Sequence, residues 1–283
     1  MGDATEKPGL SKLVVVATPI GNLGDMTFRA VEALKDADLI ACEDTRTSRV
    51  LLQHYGIGTP LISYHEHSDS GKRDMLLARL RAGESVALIT DAGTPLISDP
   101  GYKLVREVRA AGFAVEALPG ACAAITALSG AGLPSDRFYF AGFLPNKTQA
   151  LNTALTSLLQ RPETVLCYES PKRILATLEH LAALDATRQL CVARELTKRH
   201  EEWLHGTATD IHAALSAREQ VRGEIVLLWE PAEEKTVGPE EVDALLQSLL
   251  PKMSVKEAAK QAADATGLGR SALYQRALAL KNG

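Results

Sequence analysis

Ser85-Val86-Ala87-Leu88-Ile89-Thr90-Asp91-Ala92-Gly93-Thr94-Pro95-Leu96-Ile97-Ser98-Asp99-Pro100-Gly101 is the stretch that sets the fold class. Ser85 to Thr90 follows Gly83 as a short apolar, partly β-branched run, the pattern of a buried strand. Asp91 to Pro95 breaks that run with turn formers, and Pro100-Gly101 opens a helical pattern from Tyr102 to Ala111. In an open parallel sheet, ligands sit in the loops beyond the carboxyl ends of the strands. Gly93 would let a ligand come close to the backbone and Pro95 would stiffen the turn. A tight connection that binds nothing would use the same residues.

Outward from this stretch, strand and helix patterns alternate. Leu13 to Thr18 is a β-branched run ended by Pro19, and Thr27 can cap a helix to about Asp36. Asp38–Cys42, Leu61–Tyr64 and Val115–Leu118 read as further strands. Helices are expected from about Thr45, over Asp74–Arg81 and over Ala121–Ser129. Such alternation predicts an α/β domain with a parallel sheet, placed at 12–133. The pattern resets near Leu133-Pro134-Ser135. A second α/β domain, 134–231, follows, with strands at Phe138–Ala141, Thr164–Tyr168, Leu190–Ala193 and Glu224–Trp229 and mixed strand direction. Arg194 to Glu202 reads as a solvated charged loop. Pro231 to Pro239 resembles a linker, and 239–283 forms a helical tail.

Composition narrows the function. The 283 residues are 46% hydrophobic and 23% charged, with no apolar run of the roughly 18 residues a membrane span needs. Met1 to Pro8 is polar, unlike a signal peptide, and a cytoplasmic protein is expected. Cys42, Cys122, Cys167 and Cys191 lie far apart with no Cys-x-x-Cys pair, so no metal site and no disulfide framework is expected. His65-Glu66-His67 would present the two histidines away from Glu66 on an extended segment, and no third ligand is evident. The net charge of −4 is unevenly spread. Residues 251–283 carry six basic and two acidic groups, a net of +4 on a body of −8, which suits a polyanionic partner for the tail. Lys252, Lys256, Lys260, Arg270 and Arg276 are its candidate phosphate contacts.

Gly21-Asn22-Leu23-Gly24 after the first strand, with Glu43 and Asp44 about 20 residues on, is a partial dinucleotide fingerprint lacking one glycine. A nicotinamide-dependent oxidoreductase is therefore an alternative. There is no P-loop and no Gly-x-Ser-x-Gly elbow.

Longer motifs carry a resemblance. Thr18-Pro19-Ile20-Gly21-Asn22-Leu23-Gly24-Asp25, Cys42-Glu43-Asp44-Thr45-Arg46 and the Asp91–Gly101 loop occur in this order. Leu118-Pro119-Gly120, Phe143-Leu144-Pro145, Tyr168-Glu169-Ser170-Pro171 and Ala193-Arg194-Glu195-Leu196-Thr197-Lys198 follow. Over roughly residues 12–230 the chain resembles the ribosomal RNA small-subunit methyltransferase I family, within the tetrapyrrole-methylase-like group. The resemblance implies two α/β domains with S-adenosylmethionine held in the cleft between them (a class III methyltransferase), and a homodimer. It implies 2′-O-methylation of a cytidine ribose in small-subunit ribosomal RNA, naked or in the assembled subunit, and no action on DNA or membranes. The family's cofactor loop falls on Asp91, Ala92, Gly93, Thr94, Pro95 and Leu96, with Pro19 and Ala121 on the same cleft. In the second domain it falls on Glu169, Ser170 and Glu195.

A ribose hydroxyl needs a base, and Glu43, Asp44, Asp99 and Glu169 are the carboxylates in the expected cleft loops. Asp44 or Glu43 is taken as the base, with Arg46 and Lys172 holding RNA phosphate. A tetrapyrrole methylase and a non-catalytic RNA-binding factor are the other readings.

Overall fold

The computed structural model describes residues 11–65, 70–232 and 238–282. The chain divides after Ala232 into two compact units. The first unit opens with β1 (Lys12–Val15), α1 (Phe28–Asp36), β2 (Leu39–Cys42), α2 (Thr45–His54) and β3 (Leu61–Ser63). It continues with α3 (Ser70–Arg81), β4 (Val86–Leu88), α4 (Tyr102–Ala110), β5 (Ala114–Ala117) and α5 (Ala123–Gly130). These strands form one parallel sheet in the order β3-β2-β4-β1-β5. Both faces are covered, as continuous apolar strands require. Val14, Ile40 and Ala87 pack under α1 and α2, while Leu13, Leu39 and Val86 pack under α3 and α4. Thr27 caps α1 by accepting from the Ala30 N–H, and each fully buried leucine such as Leu34 contributes about 1.5–3 kcal/mol.

A second sheet follows from β6 (Phe138–Phe143), α6 (Thr148–Leu158), β7 (Thr164–Glu169) and α7 (Ile174–Leu184). Then come β8 (Gln189–Arg194), β9 (Glu202–Thr207), α8 (Ala208–Ser216) and β10 (Ile225–Trp229). Its order is β6-β7-β10-β8-β9, parallel only between β6 and β7. The strand β9 was not expected. Its first residue Glu202 sits opposite Arg194 in the β8–β9 ladder, 2.9 Å away, and also binds Arg218. Arg194 and Glu202 thus close a hairpin, whose connecting loop keeps Arg199, His200 and Glu201 exposed.

The seam between the sheets is α5. Ala124, Ala127 and Leu128 pack on Leu166, Cys191, Val226 and Leu228 of the second sheet. Small residues permit the approach. A Cβ on Gly130 would lie 2.5 Å from the Trp203 ring.

The second unit holds α9 (Pro239–Leu249), α10 (Val255–Thr266) and α11 (Arg270–Asn282) around Leu246, Ala258, Ala259, Ala262, Leu273 and Ala277. Ser254 and Glu257 form a capping box for α10, and left-handed Gly267 ends it. No helix among the described residues is long and apolar enough to cross a membrane.

Candidate active site

From β1 the chain crosses to one side of the first sheet, and from β4 it crosses to the other, so the loops beyond these neighbouring strands part company. A crevice at such a switch point is where α/β sheets bind ligands. The two loops are tied together there. Thr18 and Gly93 exchange two backbone hydrogen bonds of 2.9 Å, and Thr94 Oγ1 donates to the Ala121 carbonyl at 2.8 Å. Gly93 has φ +87°, and a Cβ would meet Ile20 at 3.4 Å.

Beyond these loops lies a cavity of about 470 Å³, within the roughly 300–1,000 Å³ of small-molecule sites. One wall comes from the first sheet: Ile20, Glu43, Asp91–Thr94, Ile97–Asp99, and Cys122 and Ala123 at the start of α5. The other comes from the second: Phe143, Tyr168–Pro171, Ala193, Leu196 and Gly223–Val226. Five carboxylates lie on this lining and no lysine, arginine or histidine does. A pyrophosphate or a 2′-phosphate has nothing here to neutralise it. A cationic, otherwise apolar ligand suits the walls well.

The loop from Asp91 to Asp99 is held in an unusual path. Leu96 and Ser98 both adopt left-handed backbone, at φ 75° and 62°, each costing on the order of 1–3 kcal/mol for a non-glycine residue. The turns send Leu96 down into the first-sheet core and bring Ile97, Ser98 and Asp99 to the cavity. Burial, and then the charges of Glu43 and Asp91, push the Asp99 carboxyl up to about 6. Burial chiefly raises Glu43 too, with Asp91 adding to it. Asp91 Oδ1 accepts from the Asp44 N–H at 3.1 Å, which joins this loop to the end of β2.

The second wall treats its acids differently. Glu169 is buried, and accepts from the Ser170 N–H at 2.7 Å and the Thr177 hydroxyl at 2.8 Å, with Arg173 3.5 Å away. Arg173 also donates to the carbonyls of Leu144 and Pro145, fixing the turn after Phe143. Glu195 accepts from Lys198 at 2.8 Å and from the Glu224 N–H at 3.0 Å, and its carboxyl is lowered chiefly by Lys198.

Of the expected cofactor residues, Asp91, Ala92, Gly93, Thr94, Glu169 and Ser170 line the cavity. Pro19, Pro95, Leu96, Ala121 and Glu195 stand behind it. Ala121 acts through its carbonyl on Thr94, and Glu195 braces the Gly223-Glu224 turn, where a Cβ on Gly223 would strike it. Ile20, Cys122, Phe143, Tyr168 and Leu196 were missed as lining residues. Each adjoins a motif already singled out, but only the packing of α5 shows that they converge.

Among the expected catalytic residues, Glu43 reaches the cavity and the other three do not. Asp44 caps α2, and its hydrogen bonds from the Arg46 guanidinium and N–H hold its carboxyl down at about 2. Its carboxylate is held by Arg46 at the start of α2 and lies off the cavity lining. Arg46 is in turn occupied by Asp44, with an 88% exposed side chain, and Lys172 is exposed in the turn before α7. Glu66 and His67 lie outside the described residues. The partial dinucleotide fingerprint also dissolves, because the face of Gly21 is filled by Lys198, whose Cγ would lie 2.4 Å from a Cβ there. In the second unit Lys252, Lys256, Lys260 and Arg270 are exposed, whereas Arg276 makes a two-pronged pair with Asp243. Among the described residues Arg276 is thus the one of the five that already has a carboxylate partner, with half of its side chain still exposed.

The family profile for tetrapyrrole (corrin/porphyrin) methylases matches residues 12–212, and that for the RsmI C-terminal HTH domain matches 236–281. A protein from Mesorhizobium japonicum named ribosomal RNA small subunit methyltransferase I is 48% identical over 271 residues, 95% of this chain and 92% of that one. One of the same name from Escherichia coli O157:H7 is 47% identical over 94% of each chain. The chain belongs to the ribosomal RNA small-subunit methyltransferase I family. Its fold is shared with uroporphyrin-III C-methyltransferase from Thermus thermophilus complexed with S-adenosylhomocysteine, at a TM-score of 0.54 and 18% identity over 79% of this chain and 97% of that one. Family and fold agree with two α/β layers around the cavity and a helical C-terminal region.

Proposed function

We propose that this chain transfers a methyl group from S-adenosylmethionine to the ribose 2′-hydroxyl of a cytidine in small-subunit ribosomal RNA, acting as a homodimer. The observation that carries the reading is the cavity lining, five carboxylates without a basic side chain, in a family whose members are named for ribosomal RNA methylation. S-adenosylmethionine, when bound, supplies an electrophilic methyl on a positively charged sulfur. Ala92, Cys122, Ala123 and the Gly223-Glu224 turn offer it backbone groups, and Gly93 a wall without side-chain bulk. Asp91 and Glu43 offer the field that a sulfonium and an ammonium prefer to water. Glu169 and Glu195 hold the second wall in place through Arg173, Thr177 and Lys198.

The same charge pattern bears on the acceptor. A tetrapyrrole is a polycarboxylate and would have to enter the acidic walls whole. An RNA strand need insert only a sugar and leaves its phosphates outside. The exposed Lys252, Lys256, Lys260 and Arg270 of the helical unit suit a polyanion such as RNA. Holding both reactants in line supplies up to about 7–11 kcal/mol of the barrier.

Incubating the protein with methyl-labelled cofactor and small subunits, or naked RNA, lacking the modification tests the reading. Label on one cytidine ribose is expected. Label on a base, or none on either substrate, overturns it. Sedimentation at micromolar concentration is expected to give twice the chain mass.

A further inference from the structure

We infer that Asp99 is the general base of the transfer, taking the proton from the ribose 2′-hydroxyl as its oxygen attacks. This rests on the methyl-transfer reading above. Three observations carry it. Asp99 lies on the cavity lining, at the end of a loop whose left-handed Leu96 and Ser98 turn it there. Thr90 is 2% exposed, and its hydroxyl has no partner of full hydrogen-bond geometry among the described residues. Thr90 is also the one neighbour that favours the charged form of the Asp99 carboxyl, against burial and the acids around it. Lastly, no cation pairs with Asp99 among the described residues, in contrast with Asp44, Glu169 and Glu195.

The groups facing Asp99 are Glu43 and Asp91 on its own wall and Tyr168 on the other. Burial and the two carboxylates favour its protonated form, and Thr90 alone favours the charged one. A cation in the cavity adds to the side of Thr90. Loading the cofactor therefore drives Asp99 toward carboxylate and expels a proton before the acceptor arrives. In the transfer itself, the 2′-oxygen forms its bond to the methyl carbon while Asp99 takes the hydroxyl proton. The carbon–sulfur bond breaks, its electron pair stays on sulfur, and the neutral acid later gives its proton to water. A base whose proton affinity lies near the working pH is the efficient one.

Asp99→Asn and Asp99→Glu in the full-length chain test this. Asparagine is expected to bind S-adenosylmethionine within about tenfold of wild type, yet to lower the single-turnover rate on unmodified small subunits by about 10²–10⁴. Glutamate should restore part of that rate. A second readout needs no turnover. Calorimetry of S-adenosylmethionine binding at pH 6 in buffers of different ionisation enthalpy should show proton release in wild type and not in Asp99→Asn. Asparagine methylating within about twofold of wild type, or wild-type binding without proton release, overturns the inference. Cofactor binding lost with asparagine and kept with glutamate makes Asp99 a binding residue and overturns it too. Wild type that binds cofactor with proton release but methylates no ribose overturns the functional reading instead.

Discussion

The two walls of the cavity carry acids to opposite effect. On the first, Glu43 and Asp99 are raised by burial and by neighbours of their own sign. On the second, Glu169 and Glu195 are met by Arg173, Thr177 and Lys198, and nearby Glu202 by Arg218 and Arg194. Like charges brought together in a cavity keep their reactivity, whereas paired ones become structure. The first wall is arranged for chemistry on a cation, the second to stay still.

The sharpest way to break this contrast is at Gly93. Valine there meets Ile20 and forces a β-branched residue into φ +87°. It should lower S-adenosylmethionine affinity by more than about 100-fold in calorimetry, with the circular dichroism of the fold retained. Next comes the source of RNA affinity, which the acidic wall cannot supply. A chain ending at Ala232 should keep cofactor affinity and lose about tenfold or more in affinity for RNA. In a salt series the slope of log K against log salt should fall by roughly 0.7–0.9 for each phosphate contact removed. An unchanged slope would place those contacts elsewhere.

On the second wall the expected loss is of stability. Thr177→Val removes a donor from the buried carboxylate of Glu169 and should cost about 1–3 kcal/mol in urea unfolding, with the acid limb of the pH–rate profile unmoved. The smallest effect is the one that separates the walls by sign. Glu202, held at about 2 chiefly by Arg218, adds stability above its unfolded value near 4.5 and loses it as pH falls toward 2. Asp99, raised to about 6 from 3.8, works in reverse, and its destabilising share grows as pH rises through that window. Thermal midpoints of Glu202→Gln should therefore flatten below about pH 4.5, and those of Asp99→Asn should flatten between about 4 and 6.

The first sheet was legible because its strands are short apolar runs bounded by Pro19, Gly83 and Pro119, and the Asp91–Thr94 turn announces itself through Gly93. Which of the loop carboxylates reach the cavity, Glu43 and Asp99 but not Asp44, was not legible. Nothing in the sequence says that Arg46 bends back two residues onto Asp44, or that two left-handed residues swing Asp99 inward. Likewise β9 hides behind Arg194–Glu202, whose charges suit a loop until their partners across the hairpin are known. The missed lining residues belong to the same class. Phe143 and Leu196 face a cavity that exists only because α5 holds the two sheets together.

The central position of β10 sets a schedule for synthesis. It is the last strand made, yet it lies between β7 and β8, and its Val226 and Leu228 cover α5. A nascent chain that has completed the first sheet therefore carries the bare flank of α5, with Ala124, Ala127 and Leu128 uncovered, until Trp229 has left the ribosome. Chains released before that point present an apolar helix face and an unfilled slot between two strands, the features that recruit chaperones or seed aggregation.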